Sequence, residues 1–199
     1  MSNIIPKDSR YIPMTQQKSC CVPACFSIIM YKLKIPLIPQ ELFGYYLGLK
    51  VAPKSKKLFW NARSGKRRKS GYGTNLHYKD YKPEVVFKKL GIPLKIEMLN
   101  VDVFETRKEF VAFVAKKIKK DQHLIVCFDH GTLSGEADKQ GGHVCVVDQI
   151  YPNKNEIRLI DPSPNRPKWR VVNIARLYKA MKLHPAGGGG VWEFKKVKK

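Results

Sequence analysis

Residues 16–25 read Gln-Gln-Lys-Ser-Cys-Cys-Val-Pro-Ala-Cys, and a strongly apolar segment follows them. Beyond Cys21 the apolar residues recur at mixed steps of three and four, which predicts a mostly buried helix that ends near Lys34. Pro23 fits the first turn of such a helix. Cys21 would therefore lie at the helix N-terminus, where free backbone amides and the helix dipole favour a thiolate.

Cysteine and glutamine side chains in this segment suggest nucleophilic chemistry. A thiolate at Cys21 could attack a carbonyl carbon, and adjacent Cys20 is the alternative nucleophile, a resolving thiol or an inert neighbour. An upstream amide could join the Cys21 backbone amide in stabilising an oxyanion, and Gln16 is preferred over Gln17 for this role. The other cysteines have apolar neighbours and are interpreted as small buried hydrophobes: Cys25, Cys127 and Cys145.

A predicted hairpin near the end of the chain carries a base and a carboxylate. Residues 144–150 are apolar enough for a buried strand, residues 152–155 are turn-like, and residues 157–160 are typical of the returning strand. His143 begins the first strand, and Asp161 follows the second. This order suggests that His143 acts as a base and that Asp161 orients it.

The length of the hairpin loop decides whether these two side chains meet. Because side chains alternate along strands, His143 and Asp161 share a face only if the loop has an odd number of residues. We expect a three-residue loop at 152–154, which pairs position 145 with 161 and makes His143 the diagonal neighbour, roughly 7–8 Å away at the backbone.

Two other acidic residues compete for the same role. Asp148 interrupts the first predicted strand, and we expect it to end that strand or to face solvent. The pair Asp129-His130 precedes a glycine, so a turn that ends a strand explains it as well as a catalytic role does.

The order Gln, Cys, His, Asp resembles the papain-like cysteine peptidase superfamily, and its C39-like, bacteriocin-processing branch is the more similar. That branch carries a Gln, then Asp-Cys-Gly-x-Ala-Cys opening a helix, then a His beginning a strand, then Asp-Pro ending the next. The matching residues here are Cys21, Ala24, Cys25, His143 and Asp161-Pro162. Ser19-Cys20 and Val22 depart from the motif, and Gln16 lies five residues before Cys21 where six is common.

The resemblance implies an α+β, papain-like, two-lobed fold, in which an N-terminal helix packs against a mainly antiparallel sheet carrying the His and the Asp. It also implies a cysteine peptidase that forms a thioester acyl-enzyme, with Cys21 as nucleophile, His143 as base, Asp161 as orienter and Gln16 at the oxyanion. Phytochelatin synthases are also similar, in their Cys-x-x-Ala helix and in a Pro-x-Trp segment like 167–169. Transpeptidation therefore remains an alternative to hydrolysis of a peptide or protein substrate.

Charge is the most unusual part of the composition. The net charge is +22, from 38 basic and 16 acidic residues, and 43% of the 199 residues are hydrophobic, which suits one domain over residues 1–199. Residues 54–69, from Lys54 to Lys69, hold eight Lys or Arg and no acid, and they include Phe59 and Trp60. This basic loop or insertion, about 53–80, suggests a nucleic-acid or other anionic partner, an acidic substrate, or a solvated loop. A basic binding protein on a peptidase-like fold is the rival function.

Location and cofactors follow from what the sequence lacks. No apolar signal segment follows Met1, and no apolar run is long enough for a membrane span. With an odd number of cysteines, five, a reduced and cytoplasmic setting is expected, and unconventional export is the alternative. Cys21 and Cys25 have no second close pair of metal ligands, so neither a metal nor another cofactor is predicted.

Local signals predict the remaining elements. A capping box of Thr106 and Glu109 begins a helix over 107–120, and Asn173 caps a helix that ends at Lys182. Further helices are predicted at 39–47 and 83–90, strands at 93–98, 123–128 and 191–194, and a flexible link at 187–190. Helices first and strands later is an α+β plan.

Overall fold

Six strands between residues 94 and 196 form one antiparallel sheet between two layers of helices. The computed structural model describes residues 5–66, 72–136, 141–185 and 189–197. The helices are α1 (Cys21–Lys32), α2 (Gln40–Tyr46), α3 (Pro83–Lys89), α4 (Arg107–Lys119), α5 (His130–Ser134) and α6 (Ile174–Lys182). The strands are β1 (Lys50–Val51), β2 (Arg63–Ser64), β3 (Leu94–Asn100), β4 (His123–Asp129), β5 (Gly142–Tyr151), β6 (Glu156–Ile160), β7 (Trp169–Asn173) and β8 (Gly190–Lys196).

The large sheet has the order β3-β8-β4-β5-β6-β7, and every neighbouring pair is antiparallel. The last strand, β8, therefore lies inside the sheet between β3 and β4. The first residue of β8, Gly190, has room for no side chain. A Cβ atom there would lie 1.9 Å from the Leu99 carbonyl oxygen on β3. The α+β class and the mainly antiparallel sheet are confirmed. Of the predicted link at 187–190, residues 187 and 188 lie outside the described ranges.

Helices cover both faces of the sheet and bury two separate cores. Alternate residues of β4 point to opposite faces, so that Ile125 and Cys127 join one core while Val126 and Phe128 join the other. The first core is shared with α1, α2 and α3, and the second with α4, α5 and α6. Because both faces are covered, every residue of β4 is buried, which explains its continuous apolar sequence.

The predicted helix starts are confirmed, with one difference in capping. α1 begins at Cys21 and ends at Lys32, two residues before the predicted end. At α4, Thr106 Oγ1 accepts a hydrogen bond from the Glu109 amide at 3.2 Å, as a capping box requires. The Glu109 carboxylate, however, accepts from the Glu105 amide at 2.9 Å rather than from the Thr106 amide.

The hairpin loop differs from the prediction, yet the predicted side-chain arrangement is present. Four residues, 152–155, connect β5 to β6, and this even number alone would place His143 and Asp161 on opposite faces. A bulge at Asp148 shifts the register, so that Val147 pairs with Leu159 and Val146 with Ile160. Continued by one residue, this register sets position 145 opposite 161. The expected three-residue loop was therefore wrong, and the bulge restores the parity.

Asp148 does not face solvent and does not end the strand, which corrects the prediction for this residue. Its side chain is fully buried, and its carboxylate lies 2.6 Å from Arg158 Nε. It also accepts a hydrogen bond from the Arg10 amide at 2.7 Å. Arg158 extends the network to Asp8 at 2.9 Å. Partners from β6 and from the N-terminal segment therefore satisfy the buried carboxylate inside the strand.

The segment between α2 and α3 forms a small substructure, which we call the insertion (residues 47–82). It contains the short parallel pair β1 and β2, and a 3₁₀ turn at Pro53–Leu58. Its own core comprises Cys20, Leu49, Val51, Phe59 and Ala62. The basic stretch belongs to this insertion, although its residues 67–69 lie outside the described ranges. Among the residues that the structure describes, no helix is both long and apolar enough to cross a membrane.

Candidate active site

Cys21 is the first residue of α1, as predicted, and it is the one cysteine of the five that is not buried. Ser19 has a left-handed backbone, with φ at 61°, which turns the chain into the helix. The Cys20 carbonyl accepts the first helical hydrogen bond from the Ala24 amide at 3.0 Å. The Cys21 thiol therefore lies at the positive end of the helix and on the wall of a cavity.

The other four cysteines are buried. Cys20 has no exposed surface and packs in the core of the insertion, and burial raises the pKa of its thiol to about 12. Burial likewise raises the thiol pKa values of Cys25, Cys127 and Cys145. Cys25 lies one helical turn after Cys21, and its thiol donates to the Val144 carbonyl oxygen at 3.5 Å, which fixes α1 against β5.

His143 lies near the start of β5 and is held by Asp161. Its Nε2 atom lies 2.9 Å from Asp161 Oδ1, and both side chains are buried. Because Nε2 is engaged by the carboxylate, Nδ1 is the ring nitrogen left for Cys21. Burial lowers the pKa of His143, but hydrogen bonding to Asp161 and Cys21 outweighs it and raises the pKa to about 9. The imidazole is therefore a cation at neutral pH.

Asp161 directly follows β6, and three groups fix its carboxylate. Besides His143, the Ser163 amide donates to Oδ1 at 2.9 Å, and Arg170 lies 3.3 Å from Oδ2. Arg170 also donates to Ser134 Oγ at 3.2 Å. Burial would raise the pKa of Asp161, but the hydrogen bonds and the charges of His143 and Arg170 lower it to about 2. The carboxylate is therefore ionised throughout the physiological range.

Arg170 was not among the residues singled out from the sequence. It lies on β7, a strand that no alternation of apolar and polar residues had indicated. Arg166, Lys168 and Arg170 all follow Asp161 closely in the sequence, and only the pairing of β6 with β7 decides which of them returns beside it. The Arg170 side chain is 12% exposed, so its charge is poorly screened by water.

In the pair Asp129-His130, Asp129 has a structural role and His130 lies beside the site. Asp129 caps α5, accepting from the Thr132 amide at 2.7 Å and from the Gly141 amide at 2.9 Å. The His130 ring packs edge to face against His143, with ring centroids 5.5 Å apart. Burial and the nearby charges of His143 and Arg166 lower the pKa of His130. His130 is therefore a neutral side chain packed against the charged imidazole of His143.

The two candidate glutamines take different positions. The Gln16 amide donates to the Pro162 carbonyl oxygen at 2.9 Å, which ties this residue to the segment after Asp161. Its side-chain Oε1 is buried and has no hydrogen-bond partner among the described residues. Gln17 is exposed, and its amide donates to Gln40 Oε1 at 2.9 Å on α2. Gln16 is not, however, among the residues that line the cavity beside Cys21.

A cavity of about 780 Å³ opens beside the Cys21 thiol. One wall is the end of the insertion, residues 72–78, and the opposite wall comes from β3, β8 and His184. Gly142 allows the His184 imidazole to approach, because a Cβ atom there would lie 2.5 Å from His184 Nε2. Cys127 also lines the cavity, and its thiol lies 3.4 Å from His184 Nε2. The space is large enough for several residues of an extended peptide.

Three ligand-type atoms cluster around His143, which lines the cavity. Side-chain atoms of His143, Cys145 and Asp161 all lie within 4.8 Å of one another, and all three residues are buried. A metal ion bound by these atoms would have to replace the hydrogen bond between His143 and Asp161. Because burial raises the pKa of the Cys145 thiol, this cysteine is protonated and is a poor metal ligand as it stands.

The comparison with solved structures agrees with this architecture. The chain is similar to the crystal structure of a "putative C39-like peptidase" from Bacillus anthracis, with a TM-score of 0.56, 14% sequence identity, and coverage of 94% of this chain and 96% of that chain. The likeness extends over nearly the whole length of both chains and shows a shared fold. No protein-family model matches the sequence, and no curated protein matches it.

Proposed function

We propose that this chain is a cysteine peptidase that acts through a thioester acyl-enzyme, with Cys21 as nucleophile. The observation that carries the proposal is the order of three groups: a partly exposed thiol at a helix N-terminus, an imidazole within its reach, and a buried carboxylate 2.9 Å from that imidazole. This order is what nucleophilic catalysis by a thiol requires.

In the proposed reaction, the Cys21 thiolate attacks the substrate carbonyl carbon beside the imidazolium of His143. The amine leaves with a proton from His143, and water then hydrolyses the thioester. Asp161 keeps the imidazole ring in one orientation throughout. The Cys21 backbone amide and the side-chain amide NH₂ of Gln16 would donate hydrogen bonds to the oxyanion.

Cys21 is preferred over the two nearby thiols on accessibility. Cys20 packs inside the insertion, and Cys145 is fully buried behind His143. In this proposal residues 1–199 act as one peptidase domain, and the segment about 53–80 is an insertion in it. The likeness to the Bacillus anthracis structure covers 94% of this chain, which supports a single domain.

Alkylation of the native protein tests the proposal. Iodoacetamide should modify Cys21 at least about tenfold faster than any other cysteine, as mapped by peptide mass spectrometry. With a mixture of peptides as substrate, Cys21→Ser should reduce cleavage by about 10³-fold or more. Cys20→Ala is the matched control and should retain cleavage. Equal labelling of Cys20 and Cys21, or cleavage that survives Cys21→Ser, would overturn the assignment.

A further inference from the structure

The insertion combines an unusual charge with an unusual position. Between residues 42 and 83 the sequence has eleven Lys or Arg and one acid, Asp80. Its described lysines at 54, 56, 57 and 66 are exposed, and none is within ion-pair distance of a carboxylate in the described part of the chain. Arg63 packs on the Tyr81 ring at 5.5 Å. The insertion therefore presents cations that no carboxylate in the described part of the chain neutralises.

Apolar groups accompany these cations. The Trp60 side chain is 95% exposed and Leu58 is 63% exposed, and both lie between Lys57 and Arg63 in the chain. The backbone amides of Trp60 and Asn61 donate to the carboxylate of Glu41 on α2, so the loop that presents Trp60 is held at its base. A fixed loop with exposed aromatic and basic side chains is suited to contact another molecule.

The insertion is joined to the nucleophile and to the cavity at the same time. Cys20, which precedes Cys21, is part of the insertion core together with Phe59 and Ala62. The same insertion continues through Gly73, whose backbone pairs with Lys50, to the cavity wall at residues 72–78. A molecule that binds the exposed lysines is therefore held on the element that forms one side of the active-site cavity.

The described Lys and Arg side chains of the insertion do not line the cavity. The described residues that line the cavity include no Lys, Arg, Asp or Glu. A nucleic acid that entered the cavity would find no Lys or Arg there for its phosphates among the described residues. A polypeptide can instead carry acidic residues in one segment and uncharged residues in the next. Apart from His143 beside Cys21, no charged side chain lines the cavity among the described residues, and this separation from the basic insertion fits that second kind of ligand.

We infer that the insertion recruits a polypeptide substrate through an acidic segment that lies beside an uncharged scissile segment. Lys54, Lys56, Lys57 and Lys66 attract the acidic segment, and the cavity takes the residues around the bond to be cleaved. This inference rests on the proposed function, since it names the substrate class of the same site. Because the attraction acts over about 10 Å at 0.1 M salt, it should raise the rate of capture before close contacts form.

Affinity labelling of the full chain tests the inference. Two peptide pairs are used, each with the same uncharged reactive segment and four Glu or four Gln beside it. One pair carries a C-terminal vinyl sulfone, to which the thiolate adds, and the other an N-terminal bromoacetyl group, from which the thiolate displaces bromide. In at least one pair the Glu peptide should label Cys21 about tenfold faster than the Gln peptide at about 0.1 M salt. The difference should vanish near 1 M salt, where the screening length is about 3 Å.

Two charge-matched variants separate local attraction from net charge. The insertion variant is Lys54→Gln, Lys56→Gln, Lys57→Gln and Lys66→Gln. The control variant is Lys108→Gln, Lys116→Gln, Lys119→Gln and Lys120→Gln, four exposed lysines on or beside α4 on the opposite face of the sheet. The insertion variant should lose the preference for Glu, and the control variant should keep it. Equal loss in both variants would overturn the inference.

Iodoacetamide distinguishes failure of the inference from failure of the proposed function. If it labels Cys21 rapidly while the Glu and Gln peptides react alike, the recruitment is wrong and the peptidase proposal stands. If Cys21 is inert to it, the peptidase proposal fails, and this inference fails with it. A fluorescent single-stranded oligonucleotide is the third probe. Tighter binding of this oligonucleotide than of the Glu peptide, lost only in the insertion variant, would overturn the inference in favour of nucleic acid.

Discussion

His143 and Asp161 meet at 2.9 Å although an even number of residues connects their strands. The bulge at Asp148 makes this contact available, because it shifts the pairing of β5 and β6 by one residue before the strands reach the site. The buried pair of Asp148 and Arg158 stabilises the bulge. The geometry of the site therefore depends on an ion pair that is remote from Cys21 in the sequence.

The first prediction concerns that ion pair. Asp148→Ala should lower the free energy of unfolding by about 3–5 kcal/mol, because it leaves Arg158 buried without its nearest carboxylate. Urea denaturation followed by circular dichroism measures the loss. Glu97→Ala is the control, since Glu97 is exposed and lies 3.9 Å from Lys195, and it should cost less than about 1 kcal/mol. Similar losses in the two variants would contradict the role given to Asp148.

The second prediction concerns pH. The raised pKa of His143 means that the imidazolium is present below about pH 9 and is lost as pH rises through that value. An anionic reagent is attracted by the imidazolium and a neutral one is not. The ratio of the iodoacetate rate to the iodoacetamide rate at Cys21 should therefore be high at neutral pH and fall between about pH 8 and 10.

Rates on the urea-unfolded chain serve as the reference for this ratio, since no imidazolium is held beside Cys21 there. Asp161→Asn removes the carboxylate that raises the pKa of His143, so the fall should move to lower pH. A ratio that stays constant from pH 6 to 10 in the native protein would show that His143 does not act as a cation beside Cys21.

The third prediction concerns Arg170. Arg170→Gln removes one of the charges that lower the pKa of Asp161 from its ordinary value, so that pKa should rise. The carboxylate would then become protonated at higher pH, and Cys21 labelling by iodoacetamide should decline at higher pH than in the wild type. Arg176→Gln is the matched control, because Arg176 is exposed and bonds the Thr132 carbonyl oxygen instead. An unchanged acid limb in Arg170→Gln would rule out this effect.

The fourth prediction separates the two glutamines. Gln16→Ala should reduce kcat/KM for peptide cleavage by about 10²-fold, because one oxyanion donor is lost. It should leave alkylation by iodoacetamide unchanged, since displacement of iodide forms no oxyanion. Gln17→Ala should change neither rate, because its described hydrogen bond is made by the backbone amide. A larger loss in Gln17→Ala, or equal losses in both reactions, would exclude Gln16 from the oxyanion site.

Patterns within short stretches of sequence predicted where helices begin. The start of α1 at Cys21 follows from an apolar helical pattern after a polar segment, and the cap at Asn173 follows from residue type. The bulge at Asp148 could not be predicted in the same way. Its stability depends on the Arg10 amide and on Arg158, which lie far apart in the sequence and converge only after folding.

Long-range topology was also hidden from the sequence. Strand 191–194 was predicted, but nothing in its composition indicates that β8 enters the sheet between β3 and β4. Arg170 was missed for a related reason, because its contact with Asp161 depends on which strand pairs with β6. The basic stretch was evident, whereas its attachment to Cys20 depends on packing between the insertion and the start of α1.

Cys20 and Cys21 are neighbours in the chain but belong to different environments, one in the core of the insertion and one on the cavity wall. This arrangement gives the protein a built-in reporter of its own local opening. If the insertion detaches while the sheet stays folded, the thiol of Cys20 becomes accessible and the helix end that supports Cys21 loses its anchor. The thiol of Cys20 would then gain reactivity while that of Cys21 loses it, so labelling of these two consecutive residues records whether the insertion is packed in place.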